Sequence, residues 1–423
     1  MRYQNGTLHI GGVAATELIE TFGSPLYVYD ADVIERQAKR ILSAFSSLPF
    51  QPFYAMKANS NLAILRLLHG FGFGCDAVSP GEVFLAKHAG FDSTRIWFTG
   101  SNVSQEDLRE LDDPEIVVNI NSLAELDKFL ALGLPNPIAL RINPDVGAGH
   151  HRDVVTGGLG VKFGIDLAEL DSARMIATDE GRTIVGIHAH IGSGVTEVDP
   201  LLRSARTLTD HLDAFDELKW VNFGGGISIP YKPGESEFPI EEYGQRLGEL
   251  AGEILRKRGL KAILEPGRYV AAQSGTLLAR VTAKRLSAGV EWVGVDTGFN
   301  HLVRPSKYGS YHHVLNASRG DDALLRENVR PGSPHDADGV IIGGNLCESG
   351  DVFTRSENGL EPRWVPGLHE GDVVAFCDAG AYGFSMASHY NARLLPPELM
   401  VRGTEVTLVR ERQPMEDLLR GQV

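Results

Sequence analysis

Residues 52–79, PFYAMKANSNLAILRLLHGFGFGCDAVS, contain one complete unit of a repeating pattern. A short apolar run ends at Lys57, a stretch with leucines at three- and four-residue intervals follows, and a second apolar run starts at Gly74. This order predicts a strand, an amphipathic helix and a second strand. Lys57 therefore stands at a strand end, where a lysine is either a solvated cation or a reacting amine.

The same alternation continues to about Val270 and supplies eight strand candidates. They are PFYAMK, GCDAVS, IWFTG, IVVNINS, IALRINP, VGIHAHIG, VNFGGG and ILEPGR. Helical patterns such as SPGEVFLAKHAG and EEYGQRLGELAGEILRKRG lie between them. This arrangement predicts an α/β fold, a (β/α)8 TIM-type barrel, which needs roughly 250 residues. A doubly wound open sheet is the alternative, but the sequence lacks the GxGxxG after the first strand that would favour it.

The chain has 423 residues, more than one hydrophobic core usually supports, and its pattern changes after about Gly275. From there β-branched runs such as LLARVTAKR, EWVGVDTG, VVAFCDAG and EVTLVR are separated by Gly, Pro and Asp. We predict a barrel over residues 30–275 and a mainly β second domain, residues 1–29 plus 276–423, that completes the site. The polar stretch 321–338 is predicted to be a mobile loop.

Composition limits the partners of this protein. With 40 Lys+Arg against 55 Asp+Glu the net charge is −15, which disfavours binding to nucleic acid or an anionic membrane. The sequence has no apolar run of membrane-spanning length, and its first residues lack the order of a signal peptide, so we expect a cytoplasmic protein. Cys75, Cys347 and Cys377 are too few and too widely spaced for a disulfide scaffold or a CxxC-type metal site, and no metal is predicted.

The predicted strand ends carry chemically useful groups, and barrel active sites lie at the C-terminal ends of strands. The first strand ends in Lys57, the sixth in His190, the seventh in Gly224–Gly226 and the eighth in Glu265. An amine, a flat aromatic ring, an amide-rich turn and a carboxylate are the groups that pyridoxal 5′-phosphate (PLP) requires. Each alone has an ordinary explanation, such as a packing histidine, a tight turn or a salt bridge from Glu265 to Arg268. Their coincidence at four strand ends favours a PLP site.

Seven motifs also resemble one known family. They are YAMKANSN, HAHIGSG, NFGGGISIPY, EPGRYV, VRPSKYGSYH, CESGD and DAGAYGFSMASHYN. In this order and spacing they resemble the diaminopimelate decarboxylase family, barrel-type PLP-dependent decarboxylases related to alanine racemase and eukaryotic ornithine decarboxylase. The resemblance runs from about Pro25 to about Val401.

The resemblance implies roles for individual residues. The catalytic residues would be Lys57, as the Schiff-base lysine, and Cys347, as the proton donor. The cofactor-binding set would be Lys57, His190, Ser193, Gly225, Gly226, Glu265, Gly267, Arg268 and Tyr382. The substrate-binding set would be Arg268, Arg304, Tyr308, Glu348 and Tyr382. Because Cys347 and Glu348 reach the other subunit's active site in this family, the resemblance also implies a homodimer with shared active sites.

Chemical reasoning supports decarboxylation. A carboxylate at Glu265 favours a protonated ring nitrogen on PLP, whereas the racemase branch places an arginine there. Arg304 and Tyr308 suit a distal carboxylate, and Glu348 suits an ammonium beside it. Such a head group points to meso-diaminopimelate as substrate, with L-lysine and CO₂ as products. For Cys347 the alternative is a buried, inert thiol.

Three positions depart from the usual family pattern. Gly194 stands where glutamine is usual, GSNVS at 100–104 replaces a usual lysine and serine, and GGNLCESGD differs before the cysteine. These departures leave open a related PLP decarboxylase of another modified amino acid, in siderophore, antibiotic or polyamine synthesis. A racemase is disfavoured by Glu265 and CESGD. A non-catalytic PLP-binding protein is disfavoured by the β domain together with Lys57, Cys347 and Tyr382.

Overall fold

The computed structural model describes residues 1–111, 113–149, 156–158, 160, 162–287, 289–329 and 339–423. Residues 330–338 of the predicted mobile loop therefore lie outside the described residues. The chain divides into two compact units. The barrel unit comprises Glu35–Ile229 and Glu237–Tyr269, and the β unit comprises Met1–Ile34, Pro230–Ser236 and Val270–Val423.

The chain begins in the β unit. Its first elements are β1 Arg2–Gln4, β2 Thr7–Ile10, β3 Val13–Ala14, α1 Ala15–Phe22 and β4 Leu26–Asp30. The first three strands form a small antiparallel sheet. Helix α1 buries Ala15, Leu18 and Ile19, whose three- and four-residue spacing places them on one face of the helix.

The barrel unit contains a closed parallel sheet. Its strands are β5 Phe50–Ala55, β6 Gly74–Ala77, β7 Ile96–Phe98, β8 Val117–Ile120, β9 Ile138–Asn143, β10 Ile165–Asp166, β11 Ile184–His188, β12 Trp220–Gly225 and β13 Lys261–Glu265. The order is β9-β11-β12-β13-β5-β6-β7-β8, and β8 pairs back onto β9, with the two-residue β10 beside β9. The predicted (β/α)8 barrel is confirmed. The strands read as short apolar runs because parallel strands are covered on both faces.

Helices connect these strands. They are α2 Ala31–Ala44, α3 Leu62–Gly70, α4 Pro80–Ala89, α5 Gln105–Arg109, α6 Leu123–Ala131, α7 Leu170–Asp179, α8 Val198–Asp210, α9 Ile240–Arg258 and the short α10 Arg268–Ala271. Helix α4 shows why they start and stop where they do. The Ser79 side chain accepts from the amide of Glu82, Pro80 fixes the first turn, and Gly90 ends the helix in a left-handed conformation.

The remaining elements complete the β unit. They are β14 Gly275–Ser287, β15 Val290–Val295, α11 Arg304–Tyr308, β16 Val314–Asn316, β17 Val340–Gly343, β18 Arg355–Ser356, β19 Gly359–Leu360, β20 Val373–Phe376, β21 Glu398–Arg402 and β22 Glu405–Arg410. The main sheet has the order β16-β20-β14-β4-β21-β22. Leu26, Leu278, Ala375 and Leu399 belong to one buried apolar cluster of this unit. The predicted mainly β second domain is confirmed.

Candidate active site

The barrel strands carry an apolar layer followed by a polar layer. Phe53, Trp97, Val117, Ala139 and Ile263 belong to one buried cluster, with Trp220 packed against it. Two residues further along, side chains point to the same side of a strand. There six strands, and the residue directly after a seventh, present polar groups: Asp76, Thr99, Asn119, Arg141, His188, Asn222 and Glu265, all buried. The C-terminal half of the barrel is therefore lined by polar side chains.

Lys57 lies just beyond β5, in the single 3-10 turn Met56–Ala58, rather than in the strand itself. Its Nζ is 3.2 Å from Oδ2 of Asp76, which is fully buried, while the lysine side chain keeps 35% of its surface exposed. Burial and the nearby Glu265 raise the pKa of Asp76, and the positive charge of Lys57 opposes that rise. The amine is thus accessible and paired with a carboxylate.

Glu265, the last residue of β13, is buried and held through both carboxylate oxygens. Asn222 Nδ2 donates to Oε1 at 2.6 Å, and His188 Nε2 lies 3.3 Å from Oε2. Burial raises the pKa of Glu265, but the interaction with His188 and the charge of Lys57 outweigh it and hold the pKa well below its usual range. The carboxylate is therefore ionised inside the barrel.

His190 lies two residues beyond the end of β11 and is half-buried. Its Nδ1 accepts a hydrogen bond from the amide of Gly225 at 3.1 Å. Burial, with the charges of Lys57 and Arg141, lowers the pKa of His190 well below its usual value. A neutral, flat ring fixed through one nitrogen suits stacking against an aromatic cofactor.

The C-terminal end of β12 requires glycine. A Cβ on Gly225 would lie 2.1 Å from the carbonyl oxygen of Glu265, and one on Gly226 would lie 2.1 Å from that of Gly192. The amide of Gly225 donates to His190, and the amide of Gly224 donates to Asn222 Oδ1. These close approaches bring backbone and side-chain donors to one edge of the barrel.

Two further donors lie on the same edge. The buried Arg268 donates from Nη2 to the hydroxyl of Ser193 at 2.8 Å. Gly267, beside it, is tightly packed, since a Cβ there would lie 3.0 Å from the carbonyl oxygen of Ala55. A guanidinium, a hydroxyl and a glycine turn form the kind of cradle that binds a phosphate.

The residues of this unit fit PLP. Lys57 offers an accessible amine, His190 a neutral flat ring, Glu265 a buried anion, and Ser193 with Arg268 a phosphate cradle. Asp76 also keeps one buried oxygen, Oδ1, without a partner among the described residues. Such an atom suits a site that is completed by a bound group.

The prediction from strand ends did not include four polar residues that line the site: Asp76, Arg141, His188 and Asn222. Each lies within a strand or at its last residue, at a position where the sequence shows a polar residue inside an apolar run. Arg141 is buried, and burial lowers its pKa to about 10 while Glu265 and Asp76 oppose this. Polar residues at alternate positions of buried strands were the signal that could have found them.

The β unit holds the other predicted residues. Arg304, at the start of α11, is buried; its Nη1 donates to His312 Nε2 at 2.8 Å, and its guanidinium lies 4.8 Å from the centre of the Tyr231 ring. His312 Nδ1 donates to the Cys377 carbonyl at 2.8 Å and Nε2 accepts from Arg304, so the ring carries one proton and is neutral. Arg304 is thus held by a neutral histidine in this contact.

Two predicted tyrosines also lie in the β unit. Tyr308 is the half-buried last residue of α11, which ends at Gly309 in a left-handed conformation. Tyr382 is half-buried and has a φ of +58°, an uncommon value for a residue with a side chain. Backbone strain of this kind is concentrated at functional sites.

The CESGD loop is exposed. Cys347 and Glu348 are both exposed, whereas Cys75 and Cys377 are buried. This excludes the alternative of a buried Cys347 within the chain. The amide of Cys347 donates to Asn391 Oδ1 at 2.7 Å, and Asp351 is buried and accepts from the amides of Leu346 and Phe299. These bonds fix the base of the loop.

The predicted residues thus fall into two sets. The barrel unit contains Lys57, His190, Ser193, Gly225, Gly226, Glu265, Gly267 and Arg268, and the β unit contains Arg304, Tyr308, Cys347, Glu348 and Tyr382. No helix in the described part of the chain has the length and apolar composition that a membrane span needs. Across those same residues no cluster of His, Cys, Asp and Glu side chains could hold a metal ion.

Comparison with known proteins agrees with this chemistry. Residues 31–272 match the family model described as "Pyridoxal-dependent decarboxylase, pyridoxal binding domain". Diaminopimelate decarboxylase of Methanothermobacter thermautotrophicus is 43% identical over 430 residues, 99% of this chain and 96% of the relative. That of Streptomyces coelicolor is 38% identical and covers 94% of this chain and 89% of the relative.

Solved structures give the same result. Diaminopimelate decarboxylase of M. jannaschii in co-complex with L-lysine superposes with a TM-score of 0.86 and 32% identity, covering 99% of this chain and 96% of that one. Lysine/ornithine decarboxylase of Vibrio vulnificus, at 21% identity and a TM-score of 0.73, covers 92% of this chain and 97% of that one and shares the fold. The fold and site define the class of barrel-type, PLP-dependent carboxy-lyases. Within that class, the chain belongs to the diaminopimelate decarboxylase family.

Proposed function

We propose that this enzyme converts meso-diaminopimelate to L-lysine and CO₂. The observation that carries the reaction type is the buried, ionised Glu265, held by Asn222 and His188. Bound PLP supplies a ring that accepts the electron pair left on the substrate α-carbon when CO₂ departs. The carboxylate of Glu265 keeps a proton on the ring nitrogen of that cofactor, which strengthens its electron demand. The relatives named above support the substrate.

The other residues of the barrel unit hold the cofactor in this proposal. Lys57 binds the cofactor covalently through its amine. When no cofactor is bound, the carboxylate of Asp76, 3.2 Å away, stabilises the protonated amine. His190, neutral and fixed by Gly225, packs against the ring. Ser193, the Gly226 amide and Arg268 hold the phosphate. Gly267 allows this segment to approach the backbone of β5.

The substrate-binding residues are proposed from the β unit and from Arg268. The buried guanidinium of Arg304, which donates to a neutral histidine, suits the distal carboxylate of meso-diaminopimelate. Tyr308 and Tyr382 complete the contacts, and Glu348 suits the distal ammonium. Two related diaminopimelate decarboxylase structures were solved in complex with L-lysine, in accord with a site for a long amino acid.

Cys347 is the proposed proton donor to the α-carbon. Its exposure supports a site shared between subunits, because a catalytic thiol needs to be enclosed near its substrate. We therefore propose a homodimer in which each CESGD loop completes the partner's site. A cytoplasmic location, where thiols stay reduced, is part of the proposal and is supported by the free thiols of Cys75 and Cys377.

Mixed dimers test the shared site. Lys57→Ala and Cys347→Ala should each be nearly inactive, but random subunit exchange should restore up to about one quarter of wild-type activity. Half the dimers would then be mixed, and each would hold one intact site. Absence of recovery after demonstrated exchange would show that Cys347 does not cross.

A comparison of substrates tests the reaction. The PLP-loaded enzyme should release CO₂ from meso-diaminopimelate faster than from L-lysine, L-ornithine, L-arginine or carboxynorspermidine. The product should be L-lysine in an amount equal to the CO₂ released. Racemised substrate without CO₂ would identify a racemase. Preference for a substrate without a distal carboxylate would move the assignment to another decarboxylase, with Gly194 and residues 101–104 as the positions to examine.

A further inference from the structure

His188 is a buried titratable side chain for which the sequence assigned no role. Its Nε2 lies 3.3 Å from Oε2 of Glu265, and its Nδ1 lies 2.8 Å from Nδ2 of Asn119. An ionised carboxylate can only accept hydrogen bonds, so Nε2 carries the proton in this contact. Because Asn119 Nδ2 donates to Nδ1, both nitrogens of a neutral imidazole are satisfied. Asn119 thus fixes which nitrogen of His188 is protonated.

Glu265 is consequently held from two sides by neutral donors. Asn222 donates to Oε1 at 2.6 Å, and the Oδ1 atom of the same amide accepts from Gly224, which fixes the orientation of Asn222. His188 holds the other oxygen. Neutral donors satisfy a buried carboxylate without cancelling its charge, so the negative charge stays available to an opposing cation.

We propose that His188 is a positioning residue that acts through Glu265. Its Nε2–H holds the carboxylate in the orientation and charge state that the proposed contact with the ring nitrogen of PLP requires. This inference rests on the proposed role of Glu265. His188→Leu removes the donor and leaves the carboxylate with one partner fewer in a buried environment. His188→Gln keeps an N–H donor at nearly the position of Nε2.

The test combines kinetics with cofactor binding. His188→Leu should lower kcat about 10- to 100-fold with little change in KM, as expected for loss of a hydrogen bond to a charged group. It should also raise the Kd for PLP, measured by fluorescence titration of the apoprotein. His188→Gln should stay within about threefold of wild type in both. The control is His211→Leu in the helical connections of the same unit, which should change neither value.

A double-mutant cycle separates positioning from a general structural role. If His188 acts through Glu265, adding His188→Leu to Glu265→Gln should lower neither kcat nor PLP affinity further. A further loss in that background, or a His188→Gln variant as impaired as His188→Leu, would overturn the inference. Should His188→Leu fail to fold, Asn119→Leu can be used, because it removes the donor that fixes which nitrogen of His188 is protonated. Asn119→Leu should lower kcat and PLP affinity less than expected for His188→Leu, and this loss should also vanish in the Glu265→Gln background. Wild-type kcat in Glu265→Gln alone would instead refute the proposed role of Glu265, and this inference with it.

Discussion

Replacing Gly225 by alanine should damage the site through the backbone. The added Cβ would lie 2.1 Å from the carbonyl oxygen and 2.9 Å from the carbonyl carbon of Glu265, the residue paired with Gly225 in the register of β12 and β13. Ordinary contacts of a Cβ begin at 3.4 Å, so the two strands must separate by more than an ångström where Glu265 is held. Gly225 does not have a left-handed φ, so the effect is purely steric.

The magnitude follows from this overlap. Overpacking of a buried site typically costs about 1–3 kcal/mol, which corresponds to a fall of about 2–12 °C in the Tm of a unit of this size. A displacement of about 1 Å at a catalytic group can cost about 10²-fold in rate. We therefore expect Gly225→Ala to lower the Tm of the apoprotein, weaken PLP binding and lower kcat about 10²-fold.

The assay compares Gly225→Ala with Gly70→Ala. Gly70 ends helix α3, and a Cβ there would meet nothing within 4 Å. This control should leave kcat and PLP affinity unchanged and should keep or slightly raise the Tm, because alanine restricts the unfolded chain. Thermal unfolding of both apoproteins and steady-state kinetics of both PLP-loaded enzymes provide the comparison. Wild-type Tm and kcat in Gly225→Ala would refute the steric reasoning.

Three further outcomes are expected. Glu265→Gln should retain PLP but lose on the order of 10²-fold or more in kcat, because the ring nitrogen loses its anionic partner; kcat equal to wild type would contradict this. Burial raises the pKa of Glu125 to about 7, although the hydrogen bond from the Asn121 amide opposes this rise. The raised pKa stabilises the folded protein below pH 4.5, and this stabilisation is lost as the pH rises through about 7. The free energy of unfolding of Glu125→Gln, minus that of wild type, should therefore increase by about 1–3 kcal/mol between pH 4.5 and pH 8 when measured by denaturant titration. A difference that does not change with pH would contradict this. Arg304→Met should erase most of a roughly 10³-fold preference in kcat/KM for meso-diaminopimelate over L-lysine by slowing only the former reaction; an equal loss for both would remove Arg304 from the distal site.

The barrel could be predicted because its strands are buried on both faces. Such strands appear in the sequence as short apolar runs, and the helices between them keep their three- and four-residue periodicity. The β unit was predictable for a related reason, since β-branched runs punctuated by Gly and Pro rarely form helices. The local details were harder to predict. Lys57 lies in a 3-10 turn beyond its strand, and His190 lies past the end of β11.

Only part of the candidate site could be predicted from the sequence. Lys57 and Glu265 could be selected because strand ends in a barrel face the active site. Their contact partners, Asp76 and His188, could not be selected in that way, because Asp76 lies within β6 and His188 lies on β11, one strand removed from β13. Such contacts depend on the order and register of the strands. The exposure of Cys347 likewise depends on tertiary structure. The roles of all these residues remain predictions.

Covalent trapping shows whether the barrel unit holds PLP on Lys57. The PLP-loaded protein should be reduced with borohydride, digested and mapped by mass spectrometry. We expect one cofactor-derived mass addition per chain, on the peptide that contains Lys57, and its absence from Lys57→Ala. Trapping of the cofactor on a different lysine of the wild-type protein would show that Lys57 does not hold it.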